Sequence, residues 1–173
     1  MLELTVLESG MHTLDLRLID VHAIIREKMP MYQVLVEEKN GRIAYNLQAA
    51  NAAILGDTMH VGNILDNLLD NAIKYSDKQL DVCIATANRD DMLVLKISDR
   101  GMGIESGELN AVFEKFYRVS HGNLHQTKGF GLGLSYVKSV VDLHNGKITL
   151  DSKPGTGSTF TIALPLHHTT NGS

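Results

Sequence analysis

Two apolar, strand-like runs, residues 80–87 and 92–98, are separated by only four polar residues, Asn88-Arg89-Asp90-Asp91. So short a connection cannot cross over, so the runs must fold back on each other as an antiparallel hairpin. Residues 147–152 and 158–164 repeat the arrangement around Lys153-Pro154-Gly155-Thr156-Gly157. A helical pattern precedes each hairpin. The stronger one follows Asp57 or Thr58 as cap and carries the apolar stripe Val61, Ile64, Leu65, Leu68, Leu69, Ala72 and Ile73. The other covers residues 132–144 and ends at Asn145-Gly146. Upstream, residues 1–9 read as a helix tail ended by Gly10, and 15–18 as a short strand. Asp20 caps a helix running toward Lys39, with Pro30 expected to kink or split it and Asn40-Gly41 ending it. Residues 43–48 and 52–55 read as two strands joined by a turn at Asn51, and residues 105–112 as a short helix. The expected class is α+β: a mixed, mostly antiparallel sheet covered on one side by helices.

The 173 residues suffice for one domain with a sizeable core. A net charge of −4 with no long basic run gives no reason to expect nucleic-acid binding. No apolar run approaches the ~18 residues of a membrane span. Cys83 sits in an apolar run and is expected to be a buried structural thiol rather than a reactive one. The tail from His167 onward reads as a polar, frayed end and not as a metal site.

Three patches carry the chemistry. In Asn67-Leu68-Leu69-Asp70-Asn71-Ala72-Ile73-Lys74-Tyr75, the residues Asn67, Asn71 and Lys74 extend a polar face that begins at Asn63. Neutral amide oxygens suit a magnesium ion that already bridges phosphates, and Lys74 adds a point charge. The plainer alternative is a solvated face with Asp70 pairing Lys74. In Asp99-Arg100-Gly101-Met102-Gly103, the glycines allow a ligand close to the main chain. A carboxylate there can accept a hydrogen bond from an exocyclic amine, favouring adenine over guanine; a simple β-turn is the alternative. In Gly129-Phe130-Gly131-Leu132-Gly133-Leu134, glycines lead into a helix whose N-terminal N–H groups favour phosphate. The third glycine comes one residue too early for the dinucleotide fingerprint, and no P-loop sequence is present. Before this patch, Phe113 and Phe116 are expected to anchor the base of a loop, residues 117–128, to the core. Arg118 and Lys128 flank that loop and meet phosphate or water. His121 and His125 have helical spacing but lie in a loop, which argues against a metal site.

Together the patches resemble the catalytic, ATP-binding domain of bacterial sensor histidine kinases, within the gyrase–chaperone–kinase–mismatch-repair (Bergerat) ATPase superfamily. The asparagine patch resembles that family's N box, Asp99–Gly103 and Gly129–Leu134 its first two glycine boxes, Phe113–Phe116 its aromatic box, and Gly155-Thr156-Gly157 its third glycine element. The resemblance spans residues 14–166 as one domain, with residues 1–13 as the end of a dimerisation hairpin and 167–173 as a disordered tail. It implies a Bergerat-type two-layer sandwich with a flexible lid at about 117–130. It implies ATP and Mg2+ as ligands, with Asn71 and Asn67 on the metal and Asn67, Asn71 and Lys74 at the reacting phosphates. Tyr75 would stack on the base and Asp99 would bind its amine. Gly101, Gly103, Arg118, Lys128, Gly129, Gly131, Leu132, Gly133, Leu134 and Thr159 would complete the nucleotide pocket.

Two departures refine the resemblance. Hydrolytic members of the superfamily carry Glu where this chain has Asn67, and an amide cannot act as a general base. The match is therefore to the phosphotransfer branch. The phosphoacceptor segment, with its His followed by an acidic residue, is absent: His12 is followed by Thr-Leu-Asp and His22 by Ala-Ile-Ile. The expected activity is transfer of the γ-phosphoryl group to a His on a dimerisation domain outside this chain, for relay to a response-regulator receiver domain. The expected context is a cytoplasmic segment without membrane contact, monomeric alone, from a homodimeric kinase anchored in the membrane. Alternatives are an anti-sigma-type Ser/Thr kinase of the same superfamily and a regulatory module that binds nucleotide without transfer.

Overall fold

The computed structural model describes residues 13–76, 79–119 and 131–168. Ten elements position the site. Strand β1 (Arg17–Asp20) leads directly into helix α1 (Val21–Glu37), followed by β2 (Arg42–Leu47), β3 (Ala53–Gly56) and helix α2 (Thr58–Lys74). The hairpin β4 (Asp81–Arg89) and β5 (Met92–Asp99) comes next, then helix α3 (Gly133–Leu143) and the hairpin β6 (Lys147–Lys153) and β7 (Gly157–Pro165).

Local chemistry sets the helix boundaries. Asp20 accepts the His22 N–H at 2.8 Å and opens α1. Asp57 opens α2: its Oδ1 accepts Met59 N–H at 3.0 Å and His60 N–H at 3.2 Å, and its Oδ2 accepts Asp15 N–H at 3.0 Å. Asn40 takes a left-handed φ of 54° just past α1, a conformation Asn tolerates. Pro30 does not split α1, which runs through it with the proline on its exposed face.

Five strands form the main sheet in the order β2-β4-β5-β7-β6; the β2–β4 pair is parallel and the rest are antiparallel. The helices cover one face of this sheet, as expected. Ile84, Leu93, Ile97, Ile162 and Leu164 point into the layer between sheet and helices, where Leu65, Leu68, Leu69, Val137 and Val140 meet them. Burying side chains of this size stabilises the fold by about 2 kcal/mol each.

Several expectations are corrected. Residues 42–47 and 53–56 do not pair with each other: β2 joins the main sheet, while β3 pairs antiparallel with β1 in a separate two-stranded sheet. The first strand spans 17–20 rather than 15–18, because Ile19 opposite Ile54 supplies its buried side. The β4–β5 turn tightens to Asp90-Asp91, with Arg89 paired to Met92 and Asp90 at φ 52°. Residues 105–112 form no α-helix but two single 3-10 turns, Ser106–Glu108 and Ala111–Phe113. Cys83 is exposed, not buried. It alternates with Val82 and Ile84, which take the covered face and leave it on the open one. Of the expected tail, His167 N–H donates to Ala53 O at 2.9 Å, and residues 169–173 lie outside the described residues.

Candidate functional site

Helix α2 carries the polar face outlined by the sequence. Asn63, Asn67, Asn71 and Lys74 are all half-buried, and α3 packs against this face at Asn63 and Asn67. Asn67 Nδ2 donates back to Asn63 O at 2.8 Å, which turns Oδ1 outward. That oxygen meets the first residue of α3: a β-carbon on Gly133 would lie 2.7 Å from it. Lys74 sits in the last turn, with Nζ 5.1 Å from the centre of the Tyr75 ring. The alternative of an Asp70–Lys74 pair is not what the fold adopts. Asp70 Oδ1 instead lies 3.1 Å from Tyr32 Oη, and burial raises the Asp70 pKa.

The end of α2 abuts the loop after β5. Tyr75, 38% exposed, accepts the Met102 N–H on its carbonyl at 3.0 Å. That carbonyl comes so close to Gly101 that a β-carbon there would lie 2.6 Å away. Gly103 has φ 71°, and any side chain would collide with Lys153 O; Gly155 N–H then bonds Met102 O at 2.7 Å. The first and third glycine segments are thereby locked together.

Asp99 ends β5 on the covered face. Its Oδ1 accepts Gly101 N–H at 2.8 Å, and the Ser158 N–H also reaches its carboxylate. Burial raises its pKa, and these two N–H groups partly offset the rise. A cleft of about 920 Å3 opens beside it, with Asp99, Gly101 and Gly103 on its wall together with Glu108, Val119 and Thr156. That volume suits a small-molecule ligand. Asn67, Asn71, Lys74 and Tyr75 do not line this cleft; they lie along α2 beyond Gly101.

The second glycine patch is partly visible. Lys128 and Gly129 lie outside the described residues, as do His121 and His125 and most of the expected lid. Gly131, at φ 72°, is bound through its carbonyl to Phe116 N–H at 3.0 Å, so the two ends of the 117–130 segment are joined. Leu132 caps α3, accepting Tyr136 N–H at 3.0 Å and Ser135 Oγ at 2.9 Å, and Leu134 packs on the core. Arg118 is exposed at the start of the segment. Phe113 anchors this base as expected, edge-on to Phe160 at 6.4 Å. Phe116 does not: it is 70% exposed, because its φ of 63° turns it away from the core.

Sequence reasoning missed two groups. One is Ser158, the residue opposite Asp99 in register; Thr159, expected at the pocket, follows it and donates Oγ1 to Ser98 Oγ at 3.0 Å. Only the pairing of β5 with β7 distinguishes the two. Ser158 in turn bonds Ser152 Oγ at 2.9 Å. The second group is His60 and Tyr136, which the sequence reading did not single out: the Tyr136 hydroxyl bonds His60 Nδ1 and accepts from Asn63 on the amide face.

The arrangement has two ends bridged by α2. At one, Asp99 and the glycine loop offer a half-buried carboxylate beside open backbone. At the other, Asn67 Oδ1 lies beside Gly133, the first residue of α3, and the N–H groups that open a helix favour an anion. The eight residue steps from Asn67 to Tyr75 span about 12 Å at the helical rise. Among the described residues, no group of three or more acidic, His or Cys side chains forms a ready metal site, so a bound cation would depend on neutral amide oxygens and on phosphate. No helix among the described residues is long and apolar enough to cross a membrane.

The chain is 41% identical over 167 residues to the sensor protein RprX of Bacteroides fragilis, covering 95% of this chain and 32% of that protein. The chain thus spans about a third of the length of that relative. The structure of the mycobacterial sensor histidine kinase MprB is 28% identical, with a TM-score of 0.72 over 87% of this chain and 97% of that one. Full-length ShkA in complex with AMPPNP shares the fold at a TM-score of 0.77 and 24% identity, covering 91% of this chain and 32% of that one. Residues 56–168, from the last residue of β3 to the end of the described chain, match the model of the histidine kinase-, DNA gyrase B- and HSP90-like ATPases, and the chain belongs to that family.

Proposed function

We propose that this chain is the catalytic, Mg-ATP-binding domain of a sensor histidine kinase, and that it transfers the γ-phosphoryl group to a His on a phosphoacceptor domain outside it, for relay to a response-regulator receiver domain. The observation that carries this reading is the span of α2. Its end abuts the loop at Gly101, next to the half-buried carboxylate of Asp99, and its polar face meets the start of α3 at Asn67. A base fits the first end and phosphates the second.

Each residue then has a task. Asp99 accepts the exocyclic amine of adenine, with Gly101 and Gly103 admitting the base and Tyr75 stacking on it. Gly101 N–H holds the Asp99 carboxylate in place, and the Ser158 N–H favours its ionised form. Asn71 and Asn67 present amide oxygens suited to magnesium. The ion would neutralise charge on the phosphates. Lys74, Arg118, Lys128 and the glycines Gly129, Gly131 and Gly133 surround the phosphates, with Leu132 and Leu134 seating that segment.

Asn67 also sets the reaction type. An amide cannot take a proton from water, so hydrolysis is disfavoured and transfer to an outside acceptor is left. The names of RprX and MprB support the same assignment. The test is a pair of labelling reactions with Mg-ATP. The whole kinase is expected to incorporate acid-labile, alkali-stable phosphate, while this chain alone binds ATP and incorporates none. Acid-stable phosphate on Ser or Thr of a partner would refute the His assignment and favour an anti-sigma-type kinase.

A further inference from the structure

The amide face of α2 is tied to α3 through a single phenol. Tyr136, 4% exposed, lies one turn into α3. Its oxygen is 2.7 Å from His60 Nδ1 and accepts Asn63 Nδ2 at 3.1 Å. The His60 tautomer sets which of the two, the phenol or Nδ1, donates the proton between them. His60 is itself 4% exposed and stands in the first turn of α2, where Asp57 caps the helix. Asn63 continues the chain, because its carbonyl holds Asn67 Nδ2 and so aims Asn67 Oδ1 at Gly133. One connected path therefore runs from His60 through Tyr136 and Asn63 to Asn67. Both its ends lie on α2, and it passes through α3 between them.

We propose that Tyr136, held by His60, is a positioning residue that sets how closely α3 approaches the amide face and in which direction Asn67 presents its oxygen. The proposal rests on the nucleotide site proposed above. Its physical basis is the tight fit at Gly133. An α3 start that shifts by a few tenths of an ångström changes the gap in which Asn67 and the helix N-terminus would meet the terminal phosphate. A hydroxyl with two partners fixes that gap better than an apolar contact, because hydrogen bonds are directional.

Tyr136→Phe removes the hydroxyl and leaves the ring. Calorimetric titration of this chain with Mg-AMPPNP and with Mg-ADP provides the readout. The expected result is a loss on the order of tenfold for Mg-AMPPNP and about twofold or less for Mg-ADP, the scale of one misplaced hydrogen bond near the terminal phosphate. His60→Gln, whose amide can donate to or accept from the phenol, is expected to keep the wild-type ratio of the two affinities. His60→Leu is expected to behave like Tyr136→Phe. An unchanged ratio in Tyr136→Phe, whether both affinities hold or both fall together, overturns the proposal.

A second measurement separates this failure from failure of the nucleotide reading. In nucleotide-free 15N–1H spectra, Tyr136→Phe is expected to shift the Asn67 side-chain amide and Gly133 backbone signals. Should the wild-type chain bind neither nucleotide, the site reading fails, and these two signals decide the positioning claim: displacement sustains it, and superposition with wild type overturns it.

Discussion

Asn67 Oδ1 stands 2.7 Å from the point that a β-carbon on Gly133 would occupy. This closeness joins two segments that are far apart in the chain, the asparagine patch on α2 and the glycine patch that opens α3. It also fixes what residue 133 can be. Asn67 cannot simply swing aside, because its Nδ2 is held by Asn63 O at 2.8 Å.

Gly133→Ala tests this relationship. Alanine favours the helix by up to ~1 kcal/mol over glycine, so Tm is expected to hold or rise slightly. Nucleotide binding is expected to weaken about tenfold, because Asn67 must break its bond to Asn63. Calorimetry and thermal melting on one sample check both. Parallel loss of stability and binding would mean that the substitution simply disrupts the helix.

Asp99→Asn is expected to weaken ATP binding by about 2 kcal/mol, the scale of a charge-assisted hydrogen bond. The wild type should also show a pH dependence. Burial raises the Asp99 pKa in the free domain, while a donor on the base would hold the carboxylate ionised in the complex. Affinity is then constant above the raised pKa and falls as pH drops through it, since a proton must leave before binding. Asp99→Asn should lose this dependence. A wild type and variant with parallel pH profiles would remove Asp99 from the base-binding role.

Asn71→Ala is expected to weaken binding measured with magnesium by about 1 kcal/mol or more and to leave binding in chelator nearly unchanged. Its amide would matter only with the ion present. Equal losses under both conditions would count against metal contact.

Gly157→Ala probes the lock between β7 and the first glycine segment. Gly157 has φ 127° and a β-carbon there would collide with Asp99 O. Strain and collision together are expected to cost about 3 kcal/mol of stability, read by urea unfolding. Gly155→Ala, with φ 72° but open space around it, should cost less, about 1 kcal/mol. Equal costs would show that the close approach to Asp99 O is not the source.

The sequence by itself determined the class of the fold and the identity of the chemistry. Short connections forced the β4–β5 and β6–β7 hairpins, and the stripe from Val61 to Ile73 forced an amphipathic α2. These are local properties, set by chain reach and helical period. The chemical groups were equally legible: an acid between strand and glycines at Asp99, amides at Asn67 and Asn71, and glycines before α3. Glycine and capping patterns signal themselves through backbone conformations that few other residues adopt.

Tertiary structure decided everything that depends on phase and partner. The register of β5 against β7 set Ser158, and not Thr159, opposite Asp99. The alternation of β4 turned Cys83 to the open face, and a left-handed φ turned Phe116 outward. β2 left its sequence neighbour β3 to pair in parallel with β4, a non-local choice made by burial of the whole sheet. The path from His60 through Tyr136 to Asn67 crosses between helices that are separated in sequence but packed side by side, so no local pattern announces it. Local periodicity says which groups a chain owns; only packing across the core says which of them meet.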